Sequence, residues 1–133
     1  MTLVDTSVWV DHFRGRHSPA AAYLSELIEE EEDICTCGII LTEVLQGIRA
    51  NAQYRRTRRL FLHLVYLPAR QSAHLLAAHI YRSARKRGVT IRRSVNCIIA
   101  ACAIEARVPL LHRDRDFDEI ARMSKLNVAG PPS

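Results

Sequence analysis

Thr2-Leu3-Val4-Asp5-Thr6-Ser7-Val8-Trp9 compresses a strand, an acid and a helix start into one short stretch. The run Leu3–Asp5 reads as a first strand. The hydroxyl residues Thr6 and Ser7 suit the capped start of a helix that turns Val8, Trp9 and Phe13 inward. A strand that passes directly into a helix, with a carboxylate at the junction, is the unit from which open α/β sheets are built. The rest of the chain repeats that unit. Ser18-Pro19 offers an N-cap and an N1 proline for a helix running to the acidic block 29–33, which should be solvated and fray the last turn because it lies at the unfavourable end of the dipole.

Ile34–Cys37 reads as a second strand. Helical spacing follows through Ile40, Val44, Leu45 and Ile48, and again from Asn51 to Leu64. Val65-Tyr66-Leu67 before Pro68 predicts a third strand. A long helix is expected over 72–87, with Leu75, Leu76, His79 and Ile80 on its inner stripe and Gly88 as its stop. A further helix is expected over 95–107, a fourth strand over 109–112, a short helix over 116–123 and an edge strand over 127–129. Alternating short strands and longer helices predict an α/β sheet with helices on both faces.

The length of 133 residues suits a single domain spanning 1–133, with a substantial core. No apolar run reaches the roughly 18 residues that span a bilayer, and the first residues lack a basic segment before an apolar one, so a cytoplasmic protein is expected. Cys35, Cys37, Cys97 and Cys102 do not have zinc-site spacing and read as buried free thiols in a reducing compartment. The net charge of +5 is carried almost entirely by arginine, which grips phosphate bidentately. That bias suits a polyanionic partner, and it equally suits a GC-rich genome.

Against this basic background, Asp5, Glu43, Asp114 and Asp116 stand in apolar or strand-like surroundings. Carboxylates beside a core are costly unless a partner or a cation sits among them. Asp5 and Asp114 fall at the carboxyl ends of expected strands, where ligands bind in such sheets. Asn96, at the start of a helix, would complete the set if it were an aspartate. Each residue also has a plainer reading: Asp5 as a helix cap, Glu43 as a solvent-facing residue, Asp114 and Asp116 in a charged turn, Asn96 as a capping amide. Four such placements together point to oxygen ligands for Mg²⁺ or Mn²⁺, and so to phosphodiester hydrolysis.

The blocks Asp5-Thr6-Ser7-Val8-Trp9, Leu41-Thr42-Glu43-Val44-Leu45-Gln46-Gly47, Asn96-Cys97-Ile98-Ile99-Ala100-Ala101 and His112-Arg113-Asp114-Arg115-Asp116-Phe117 resemble, in order and spacing, the four signature blocks of PIN-domain ribonucleases, above all the VapC-type toxins. The resemblance implies a three-layer α/β/α sandwich with a mainly parallel central sheet and a Mg²⁺- or Mn²⁺-dependent endoribonuclease. It implies catalytic roles for Asp5, Glu43, Asn96, Asp114 and Asp116. Asp5 and position 96 would be direct metal ligands, and Glu43 and Asp114 would bind the metal or its waters. It also implies a homodimer silenced by a VapB-type antitoxin, acting on tRNA or on a conserved rRNA loop. Thr6, Ser7, Arg92, Arg93, Ser94, Arg113 and Arg115 are the candidates for holding RNA. Asn96 departs from the family's aspartate and brings no charge, so weak metal binding and little cleavage are expected. It is either an engineered disabling change or the mark of a naturally weakened relative. Two rivals stay open: a non-catalytic RNA- or antitoxin-binding protein, and a DNA-processing nuclease of the same fold.

Overall fold

A computed structural model describes residues 1–130. Its strands are β1 (Thr2–Val4), β2 (Ile34–Cys37), β3 (Val65–Leu67) and β4 (Leu110–Leu111). Its helices are α1 (Thr6–Phe13), α2 (Pro19–Glu29), α3 (Gly38–Gln46), α4 (Asn51–His63), α5 (Gln71–Lys86), α6 (Val95–Ala106) and α7 (Arg115–Met123). The sheet order is β3-β2-β1-β4 and every pairing is parallel. The expected final strand is reduced to one bridge, Leu110 to Val128.

Sheet order and the right-handed crossover rule fix the layers. The links β1→β2 and β2→β3 step one way across the sheet, and β3→β4 steps back over both. The helices α1 to α4 therefore cover one face, and α5 and α6 the other. Packing agrees: α1 contacts α2 and α3, whereas α5 contacts α6 and α7. The direction of the connections reverses between β1 and β4, which opens a crevice at their carboxyl ends. Leu3 pairs with Leu110 and Val4 with Leu111, so Asp5 and His112 emerge side by side at that point.

The core runs through Leu3, Val4, Leu110 and Leu111 of the sheet and through α6, which is buried on nearly all sides. Trp9 lies fully inside, 5.7 Å from the Phe13 ring and 4.9 Å from Phe61, and joins α1 to α4. The inner stripe of α5 differs from expectation. Ala73, Ala77, Ile80 and Ala84 are buried, Leu76 is half-buried, and Leu75 and His79 are exposed. Alanines let α5 approach α6 closely, so the larger Leu75 is left in solvent at 68% exposure. The helix α1 starts at Thr6 as expected, and of the readings open for Asp5 the helix cap is realised: its carboxylate accepts from the Ser7 backbone N–H.

Candidate metal centre

Three segments deliver acids to the crevice. Asp5 is held at the end of β1, buried to 2% exposure, with Oδ2 accepting from Ser7 Oγ at 2.6 Å and from the Ser7 N–H at 3.2 Å. The other oxygen, Oδ1, is buried without a partner. Burial raises the Asp5 pKa, the Ser7 hydrogen bonds oppose that rise, and the Glu43 charge adds to it. Glu43 reaches over from α3, accepts from Thr6 Oγ1 at 2.9 Å and pairs with the Arg93 guanidinium.

Asp114 caps α7 by accepting from the Asp116 N–H at 2.9 Å. Asp116 is itself buried, and its two oxygens accept from the backbone N–H groups of Arg92 and Arg93, each at 3.0 Å. Asn96, fully buried, donates from Nδ2 to Asp114 Oδ2 at 3.1 Å and to Asp116 Oδ2 at 3.0 Å. Its neighbours dictate this orientation, since turning the amide over would aim its oxygen at two carboxylates. Asn96 Oδ1 is then left, like Asp5 Oδ1, buried and unpaired.

Of the five sequence-predicted acids and amide, Asn96, Asp114 and Asp116 are joined directly by hydrogen bonds, Glu43 joins them through Arg93, and Asp5 is held apart by Ser7. The predicted RNA-holding residues divide. Thr6 and Ser7 brace Glu43 and Asp5, and Ser7 Oγ also accepts from the Arg113 N–H at 3.2 Å. Arg93 is committed to Glu43, and the Arg113 guanidinium to Asp11. Arg92, Ser94 and Arg115 are exposed, and neither Arg92 nor Arg115 makes an ion pair among the described residues. A cavity of about 610 Å³ borders Asp114 and is lined also by Arg113, Arg115 and Ala129.

Asp11 was not predicted. It is 2% exposed on α1, and its signal was its place three residues after Val8, on the helix face that points inward. His112 makes a structural contact: Nδ1 accepts from the Asp114 N–H at 3.1 Å, while Nε2 faces Asp118 at 3.5 Å. Burial lowers its pKa, although the surrounding acids oppose this, so the ring is neutral with its proton on Nε2.

Oxygen donors of this kind match a hard divalent cation, and the two orphaned oxygens, Asp5 Oδ1 and Asn96 Oδ1, are what such an ion would satisfy. Among the described residues, however, no three His, Cys, Asp or Glu side chains stand as a ready-made cation cluster. The Asn96 amide fills the place between Asp114 and Asp116.

The family model for the PIN domain matches residues 2–123. The chain is 40% identical over 131 residues to VapC ribonuclease Mb1587 of Mycobacterium bovis, covering 97% of this chain and 98% of that protein. The chain belongs to the PIN-domain family, among the VapC proteins. Ribonuclease VapC11 of Mycobacterium tuberculosis matches to the same extent, at 40% identity over 131 residues. The fold is shared with VapBC2 from Rickettsia felis, solved bound to a promoter DNA fragment, at a TM-score of 0.74 and 18% identity over 96% of each chain. The expected three-layer α/β sandwich is therefore borne out. No helix among the described residues is long and apolar enough to cross a membrane.

Proposed function

We propose that the chain is a VapC-type endoribonuclease toxin, dependent on Mg²⁺ or Mn²⁺, with position 96 as its limiting residue. It acts on structured RNA, tRNA first and rRNA second. It works in the cytoplasm as a homodimer and is neutralised by a VapB-type antitoxin in a larger assembly. The observation that carries the reading is the pair of unpartnered buried oxygens, Asp5 Oδ1 and Asn96 Oδ1, within a constellation shared by Glu43, Asp114 and Asp116. Full-length 40% identity to proteins named VapC ribonucleases supports it independently.

Asp5 and Asn96 would hold the ion directly, and Glu43 and Asp114 would hold or orient its waters. When bound, the ion supplies an activated water and neutralises the leaving oxygen of the phosphodiester. The chain's own contribution is positioning. Ser7 fixes one Asp5 oxygen, Thr6 and Arg93 fix Glu43, and two main-chain N–H groups fix Asp116. Arg92 and Arg115 supply free cations for the strand. Neutral His112 can accept a proton only if its hydrogen bond from the Asp114 N–H is broken.

Asn96→Asp should give RNA cleavage with Mg²⁺ or Mn²⁺ well above the parent chain, and EDTA should abolish it. A variant that cleaves no better than the parent would refute the proposal. One observation favours a second reading, a non-catalytic RNA- or antitoxin-binding protein: the Asn96 amide itself ties Asp114 to Asp116 through two hydrogen bonds. Under that reading metal stays without effect on both the parent and the variant.

A further inference from the structure

Between Glu43 and Glu105 the chain carries twelve of its 19 Lys and Arg residues and none of its 14 Asp and Glu. The charge is therefore segregated by segment. The fold places this acid-free stretch in α4, α5 and the first turns of α6. Within it lies a groove of about 360 Å³ between α5 and α6, whose walls include Tyr81, Arg82, Arg85, Ser94 and Cys97. The Arg85 guanidinium lies 5.9 Å from the centre of the Tyr81 ring, so the two form a pair with an exposed aromatic member. Neither Arg82 nor Arg85 makes an ion pair among the described residues.

The groove adjoins the acid constellation along one helix. Ser94 lines the groove and precedes α6, Asn96 is the second residue of α6, and the Arg93 N–H holds Asp116. A strand lying across the acids can therefore continue into it. An aromatic ring beside two guanidiniums that make no ion pair among the described residues suits a polyanion whose repeating unit is a flat base and a phosphate. An acidic peptide would use the cations but leave the ring without a stacking partner.

We propose that the groove between α5 and α6 is a binding subsite for the RNA strand, taking an unpaired base against Tyr81 and adjoining phosphates on Arg82 and Arg85. The proposal rests on the ribonuclease reading and assigns to it a contact outside the reacting acids. Every residue it uses is outside the set that holds the acids.

The test is equilibrium binding in EDTA, where no cleavage intervenes, to a fluorescein-labelled uridine dodecamer and a labelled RNA hairpin. Arg82→Gln/Arg85→Gln should weaken binding to the dodecamer roughly tenfold and lower its log–log salt slope by about 1.4, at about 0.7 per lost phosphate contact. Tyr81→Ala should weaken it about fivefold or more at an unchanged slope, and Tyr81→Phe should keep the affinity. Photocrosslinking of the unaltered chain to a 4-thiouridine dodecamer should label Tyr81 or its neighbours on α5. Three outcomes overturn the subsite alone: variants that bind like the parent, crosslinks that fall only outside α5 and α6, and variants that lose VapB-type antitoxin while keeping RNA. A parent chain that binds neither RNA overturns the subsite and the ribonuclease reading together.

Discussion

Asn96→Asp should make the metal-free protein markedly less stable, and a divalent cation should reverse the loss. The amide Nδ2 lies 3.1 Å from Asp114 Oδ2 and 3.0 Å from Asp116 Oδ2, in a fully buried position. A carboxylate there would meet two like charges, each costing on the order of 5 kcal/mol at an effective dielectric of about 20. The new side chain escapes by taking up a proton. At about pH 7 that uptake costs roughly 4 kcal/mol, counting from an ordinary aspartate near 3.9 at about 1.4 kcal/mol per unit. The destabilisation is thus capped near about 4 kcal/mol, or on the order of 14 °C in Tm for a chain of this size. The sign in pH follows from a raised folded-state pKa. Stability is intact below about pH 4 and falls as pH rises, so the gap to the parent should widen by about 1.4 kcal/mol per unit. Calorimetric melts of both proteins in EDTA between about pH 5 and 7, repeated with Mn²⁺, measure it. A gap under about 2 °C at neutral pH, a gap independent of pH, or one that Mn²⁺ leaves untouched would refute the argument.

Arg113→Ala leaves the buried Asp11 carboxylate without its partner; the half-exposed arginine limits the cost to about 1–2 kcal/mol, readable by urea titration. Arg107 closes α6 at φ 56, where a side chain is strained, so Arg107→Gly should raise stability by about 0.5–1 kcal/mol; a lower Tm would contradict this. Burial pushes the Cys35 and Cys97 thiols up to about 11. Iodoacetamide at about pH 8 should therefore spare both in the folded protein and label all four cysteines once unfolded, as mass spectrometry would record. Because their folded pKa values lie above the ordinary 9.0, these thiols should also cost stability as pH rises from there towards 11.

The alternation of strands and helices was legible because each β-rich run is short and bounded by strong punctuation, such as Ser18-Pro19, Pro68 and Gly88. The acids were legible because a carboxylate at a strand end among apolar residues has few inexpensive explanations. The α5 stripe was misplaced for a physical reason. Hydrophobic periodicity gives weight to leucine, whereas close packing of two helices selects alanine, so Leu75 looked buried and Ala73 and Ala84 did not. The pairings of Arg93 with Glu43 and of Arg113 with Asp11 were not readable, because each joins segments brought together only by the sheet order. Those pairings separate Arg93 and Arg113 from Arg92 and Arg115, which make no ion pair among the described residues. In the one-dimensional pattern all four look alike.

Asp116 is gripped by the main-chain amides of Arg92 and Arg93 and by the Asn96 amide, and the side chains of Arg92 and Arg93 take no part in holding it. Its location is therefore indifferent to which amino acid, short of proline, occupies position 92. Under the proposed function, a lineage could exchange Arg92 freely, tuning which RNA is grasped, while the acid behind it stays where it is. The side chain and the main chain are separable at that residue, so on the proposed reading it is a natural point for one scaffold to acquire different targets.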